Sequence, residues 1–147
     1  DEREMIPLCI AEGIAYTPYS PLARGFLAGK GTLIGSGETP RVEHDAFIAR
    51  FYANETDLAI RAAVNEIATR RGTSAAQVAL AWLLAKPGLT AAVIGATRIE
   101  HVEQAAAAIT LELNSDEITT LDALYRPRPV LLHTQLESWQ SPNPAIR

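Results

Sequence analysis

The sequence predicts part of an α/β fold in which short parallel strands are covered by helices. Two short segments, residues 14–19 and 91–94, are apolar on both faces, as parallel strands buried between helices are. Helical patterns precede, separate and follow them, in the order helix, strand, long loop, two helices, strand, two helices and tail. Two such strands make neither a closed barrel nor a self-sufficient sheet, so the expected unit is a piece of a larger α/β architecture.

Each element has its own signals. Residues 2–12 carry Met5, Ile6, Leu8 and Cys9 on a helical stripe, with Gly13 as the expected stop. Pro7 fits if the helix begins near Glu4, where a missing N–H costs little. The strand at 14–19 is rich in β-formers and contains a proline near its end. From Ser20 to Phe51 regularity is lost, and Gly25, Gly29, Gly31, Gly35 and Gly37 crowd between Pro21 and Pro40. A loop of about thirty residues is long for a compact domain, and such loops are usually functional or disordered.

Thr56 is the expected N-cap of a helix reaching Arg71, with Leu58, Ile60, Val64, Ile67 and Ala68 as its apolar positions and Gly72 as its stop. Ser74 and Gln77 have capping-box spacing. The following residues 78–84 are apolar nearly all round, so that helix is expected to be deeply packed. Pro87-Gly88 turns the chain into the second strand. The next helix shows Ile99, Val102, Ala105, Ala106 and Ile109 on one side. Asn114-Ser115-Asp116-Glu117 starts another, with Ile118, Leu121 and Leu124 inward. Residues 1–126 form the predicted folded unit, and 127–147, with Pro127, Pro129, Pro142 and Pro144, form an extended tail.

Composition narrows the function. The 147 residues are 48% hydrophobic and 20% charged, a globular profile. No run reaches the roughly 18 to 20 apolar residues that a membrane span needs. A single cysteine, Cys9, excludes an internal disulfide framework and points to a reducing cytoplasm. The net charge of −4 gives no general affinity for nucleic acid. One cysteine and three scattered histidines make no metal-ligand spacing. Walker loop, serine elbow and GxGxxG are all absent. The chain opens on Asp1-Glu2-Arg3-Glu4, already a helical first turn, as if it began inside a larger fold.

Three motifs in register carry a family resemblance. Thr17-Pro18-Tyr19-Ser20-Pro21-Leu22-Ala23-Arg24-Gly25-Phe26-Leu27-Ala28-Gly29-Lys30 resembles the segment after the seventh barrel strand of aldo-keto reductases. Gln77-Val78-Ala79-Leu80-Ala81-Trp82-Leu83-Leu84 is similar to the helix before strand eight. Pro87-Gly88-Leu89-Thr90-Ala91-Ala92-Val93-Ile94-Gly95-Ala96-Thr97 is similar to strand eight and its loop. The resemblance runs on to Pro127 and implies the C-terminal half of a (β/α)8 barrel. It also implies NADP(H) across the C-terminal strand ends, where barrels place phosphate sites after strands seven and eight.

Residue roles follow from that resemblance. Tyr19 stands where the family's aromatic stacks on nicotinamide; without the motif it reads as a core tyrosine at a strand end. Ser20, Leu22 and Gly25 would meet the pyrophosphate, largely through backbone N–H groups, with Gly25 allowing close approach. Arg24 and Lys30 would add positive charge, or be solvated loop cations. Arg41 would reach the phosphates from the long loop. Gly95, Thr97 and Arg98 lie at a helix entry that favours an anion, and the guanidinium fork of Arg98 suits the 2′-phosphate. The plain alternative for Arg98 is a surface arginine. His101 would lie on the adenine side, whereas Gln104 and Ala105 depart from the acidic residue and asparagine frequent there.

The family's catalytic Asp, Tyr, Lys and His belong to the first half of its barrel, so no catalytic residue is assigned here. Tyr16, Tyr52 and Tyr125 have no lysine or histidine partner in sequence context, and His44 and His133 fall in loop and tail. The resemblance implies a part of a reductase converting aldehydes and ketones to alcohols, completed by an N-terminal half or another chain. The alternatives are a non-catalytic cofactor-binding subunit, similar to channel-associated members, and an inert truncated product. Substrate identity is not legible; Leu131, Leu132 and Trp139 of the tail either line a substrate pocket or pack outside the barrel.

Overall fold

The computed structural model describes residues 1–29, 52 and 54–127. Lys30, Arg41, His44, His133 and the expected tail beyond Pro127 lie outside the described residues. Five α-helices organise the described chain: α1 (Met5–Ala11), α2 (Glu55–Arg71), α3 (Ala75–Leu84), α4 (Ile99–Ala108) and α5 (Ser115–Leu124). A short 3-10 turn, Ala23–Gly25, lies between α1 and α2.

The first helix begins at Met5, three residues into the expected 2–12 segment and directly after Glu4. Pro7 therefore falls in the first turn, where its missing N–H leaves no intrahelical bond unmade. Gly13, at φ 63°, ends the helix, with the Ile14 N–H bonded to the Cys9 carbonyl at 2.8 Å and the Gly13 N–H to Ile10.

The second helix is capped by Asn54, not by Thr56. The Asn54 side chain accepts the Asp57 N–H at 2.9 Å. Asparagine is the stronger capping residue, and starting there places Glu55 and Asp57 at the positive end of the helix dipole. Its far end stops at Gly72, in the left-handed region, with Arg70 and Arg71 in the last turn. The capping box of α3 forms as its spacing predicts, the Gln77 N–H reaching Ser74 Oγ and the Ser74 N–H reaching Gln77 Oε1. Asn114 and Glu117 form a second box at the start of α5.

The core lies between α2, α3 and α5. Val64, Ile67 and Ala68 meet Ala75, Val78, Ala79 and Leu121, and Leu22, Leu27 and Trp82 close over them. Helix α3 is the most buried element, packed on α2 by one side and on α4 by another. Its near-uniform apolarity anticipates this.

Two further expectations change. The strands are shorter than predicted: residues 14–19 and 90–93 run side by side but form a single parallel bridge, Tyr19 with Val93. The Thr90 N–H donates to the Tyr16 carbonyl and the Val93 N–H to the Pro18 carbonyl, each at 2.9 Å. Nor are the pairs buried, since Ile14, Val93 and Ile94 are exposed. A parallel sheet is covered by the helices of neighbouring units, and two segments bring too few of them. Helix α4 departs likewise. Ile99, Val102 and Ile109 are exposed, and Ala108 is the residue it buries, because α4 turns the side carrying His101, Gln104 and Ala108 toward the rest of the described chain.

Candidate cofactor-binding site

The parallel bridge between Tyr19 and Val93 fixes the geometry of the site. Because the two segments run in the same direction, the residues after Tyr19 and after Val93 leave from the same end. Ser20–Gly25 and Gly95–Arg98, the two groups singled out in the sequence, therefore start side by side. In α/β barrels that end of the strands carries the site.

The turn after Tyr19 is unusual in its backbone. Ser20, Ala23 and Arg24 take φ values of 55°, 49° and 59°, and Gly25 follows at 97°. Side-chain-bearing residues rarely enter the left-handed region, and strain of this kind gathers at functional sites. The turn supports itself. The Ala23 N–H donates to the Ser20 carbonyl, the Arg24 N–H to Ser20 Oγ, and the Gly25 N–H to the Leu22 carbonyl. The N–H groups of Phe26, Leu27 and Ala28 are likewise used within the turn, whereas that of Leu22 is not. Gly25 thus spends its N–H locally and offers open space above its Cα, since among the described residues no atom beyond its chain neighbours lies within 4 Å of a Cβ built there.

Phe26 anchors this turn, at 2% exposure. It stacks near Tyr52, and the Arg61 guanidinium sits 5.4 Å from its ring centre. Arg61 Nε and Asn65 Nδ2, from α2, both donate to the Gly29 carbonyl, at 3.3 and 3.4 Å. These two residues were not singled out in the sequence. A signal existed for Arg61: with Asp57, Val64 and Ala68 it falls on one helical face, and all four are buried. A cavity of about 320 Å³ lies behind the turn, walled by Phe26, Ile60, Val64, Trp82, Leu121 and Tyr125 among others.

At the second loop, Gly95, Thr97 and Arg98 are exposed and Arg98 is the N-cap of α4. No side chain caps this helix, in contrast to α2, α3 and α5. A helix start without a side-chain cap, beside a guanidinium, is an arrangement suited to an anion. His101 is half-buried one turn in, and its N–H returns to the Arg98 carbonyl. Tyr19 is 84% exposed, its ring open at the shared end of the strands. Arg24 is exposed on the turn. Among the described residues no cluster of three His, Cys, Asp or Glu side chains is set to hold a metal, and no helix is long and apolar enough to cross a membrane.

Comparison with known proteins gives this geometry a family. The model of the aldo/keto reductase family matches residues 1–126. The chain belongs to that family, whose members are oxidoreductases acting on small carbonyl substrates. It is 37% identical over 133 residues to versiconal hemiacetal acetate reductase of Aspergillus parasiticus, covering 88% of this chain and 38% of that protein. An aldo-keto reductase of Fusarium vanettenii is 35% identical over 134 residues, covering 91% of this chain and 35% of the relative. Among solved structures, a thermostable aldo-keto reductase in complex with the inhibitor epalrestat matches with a TM-score of 0.54 and 27% identity, over 84% of this chain and 35% of that one. The chain thus spans little more than a third of the length of these relatives. Its fold is the C-terminal part of their (β/α)8 barrel, mostly helical, with one short parallel pairing.

Proposed function

We propose that this chain supplies the pyrophosphate and 2′-phosphate site of an NADP(H)-dependent reductase that converts aldehydes or ketones to alcohols. The observation that carries the reading is the Tyr19–Val93 bridge, which starts both loops at one end of the parallel pair. Family membership supports the reaction class. The residues present fit the cofactor: a turn with a bare Cα at Gly25, and an uncapped helix start beside Arg98.

In this reading the Tyr19 ring carries the nicotinamide. Ser20 and the Leu22 N–H meet the pyrophosphate, Gly25 lets it approach, and Arg24 neutralises it. Gly95, Thr97 and Arg98 hold the 2′-phosphate at the start of α4, with His101 on the adenine side. Lys30 and Arg41 keep the phosphate roles that the sequence suggests for them. When bound, the reduced nicotinamide supplies the hydride. This chain's residues bind and orient it, while the proton donor comes from barrel strands that residues 1–147 do not contain. A cytoplasmic setting suits the single cysteine, Cys9, which is buried.

Titration of the full-length protein with NADPH, followed by nicotinamide fluorescence, tests the reading. Saturable binding that adenosine 2′-phosphate displaces is expected. No binding, or binding indifferent to the 2′-phosphate, would overturn it.

A further inference from the structure

We infer that Arg61 and Asn65 of α2 are positioning residues for the cofactor loop, holding its far end by the Gly29 carbonyl. The inference rests on the cofactor reading above and extends it to residues that touch no ligand.

The left-handed turn of Ser20 to Gly25 is costly in backbone terms, and its own hydrogen bonds are short-range. Such a turn persists where its surroundings over-determine it. At its start it is tied to residues 90–93 by the parallel pairing. At its exit the tie is α2. The Gly29 carbonyl accepts from both Arg61 Nε and Asn65 Nδ2. One turn apart on the helix, these side chains share a face and reach a single oxygen. Arg61 is 5% exposed and its guanidinium also covers the ring of Phe26, itself buried. One buried cation thus grips the segment twice, through the Phe26 ring and through the Gly29 carbonyl three residues on. Held at both ends, the turn presents the bare Cα of Gly25 and the Leu22 N–H in fixed positions. Released at Gly29, it is free to relax the strained φ angles of Ala23 and Arg24.

The test uses the full-length protein and two probes. NADPH needs the Ser20–Gly25 turn; adenosine 2′-monophosphate needs the Arg98 end. Asn65→Ala is expected to weaken NADPH about three- to tenfold, the effect of losing one modest hydrogen bond, and to leave adenosine 2′-monophosphate unchanged. Asn65→Asp keeps the shape but removes the donor, and is expected to weaken NADPH at least as much. Arg61→Lys keeps the charge but loses the planar fork, with the same selective loss expected; should it fail to fold, the Asn65 variants decide. An equal loss of both probes, or of neither, in the Asn65 variants overturns the positioning role. A wild-type protein that binds no NADPH overturns the cofactor reading itself, and this role falls with it.

Discussion

Arg71 and Glu117 meet edge to edge between α2 and α5, Nε on one carboxylate oxygen at 2.7 Å and the terminal nitrogen on the other at 2.6 Å. The same carboxylate accepts the Asn114 N–H at 2.9 Å, so one side chain both closes the capping box of α5 and joins it to α2. Bidentate, charge-assisted contacts of this kind are the stronger sort of ion pair.

That arrangement fixes the acid response. The Arg71 hydrogen bonds hold the Glu117 carboxyl below its ordinary 4.5, with the Asn114 N–H adding to them against the opposing effect of burial. Lys86 and then Trp82 likewise lower Asp122 below 3.8. For a depressed carboxyl the unfolded chain takes up protons first. The stabilisation is therefore whole above about pH 5 and is lost as pH falls from the ordinary carboxylate values through the depressed ones. Denaturant midpoints are expected to drop as pH falls from about 5 to about 3, with a shallower drop in Glu117→Gln. An unchanged slope in that variant would show that the pair does not govern it.

Two glycines with similar backbones should respond differently to alanine. Gly25 and Gly88 have φ values of 97° and 83°, so each substitution carries a conformational cost of roughly 1–2 kcal/mol. Among the described residues a Cβ at Gly25 meets nothing within 4 Å, whereas one at Gly88 would lie 2.8 Å from Ile10 Cδ1 and 2.9 Å from Ile6 Cγ2. Gly88→Ala must also displace the Ile6 and Ile10 side chains of α1. It is expected to be the more destabilising in thermal melts, and Ile10→Ala is expected to recover part of the difference. Equal melting shifts for the two glycine variants would mean that α1 is not seated on Gly88.

Local chemistry was legible where a few neighbouring residues decide the outcome. Ser74 with Gln77, Gly13 and Gly72 all act as their types and spacings suggest. The choice of Asn54 over Thr56 was not, since two acceptable caps lay two residues apart and the longer helix won. Which face of α4 turns inward was also hidden. The apolar stripe of Ile99, Val102 and Ile109 marks a face for burial but does not say by what, and no described residue covers it. Arg61 was not singled out at all. A cation in a helix ordinarily sits in solvent, yet this one is buried because the segment holding Phe26 and Gly29 returns across α2, a long-range event that periodicity does not encode. The two loops of the candidate site were legible through motif; their shared origin at one strand end came from the Tyr19–Val93 bridge.

Arg98 should separate the two nicotinamide cofactors. It stands at the uncapped start of α4, exposed, where a planar fork suits a phosphate. In the full-length protein Arg98→Ala is expected to weaken NADPH by roughly 1.5–3 kcal/mol, the range of hydrogen bonds to charged groups. NADH, which lacks the 2′-phosphate, should barely change. Equal losses for both cofactors would remove Arg98 from the 2′-phosphate site.

Residues 1–147 alone should not turn over a carbonyl substrate. A reductase of this kind needs a phenol or similar acid matched to the working pH. Tyr16 donates its hydroxyl proton to Asp1 at 2.6 Å, and Tyr125 donates to Glu2 at 2.7 Å. Burial raises both phenols above their ordinary value, followed by neighbouring charge at Tyr16 and by the hydrogen bond to Glu2 at Tyr125, away from the range a proton donor needs. Tyr19, open at the strand end, is the ring that the nicotinamide reading requires, and in the described residues no lysine or histidine is bonded to it. With purified polypeptide 1–147, NADPH oxidation in the presence of aromatic and aliphatic aldehydes is expected to stay at the background rate. Turnover that survives removal of contaminating reductases and is abolished by Tyr16→Phe or Tyr125→Phe would place a working acid in this chain and overturn the division of labour proposed above.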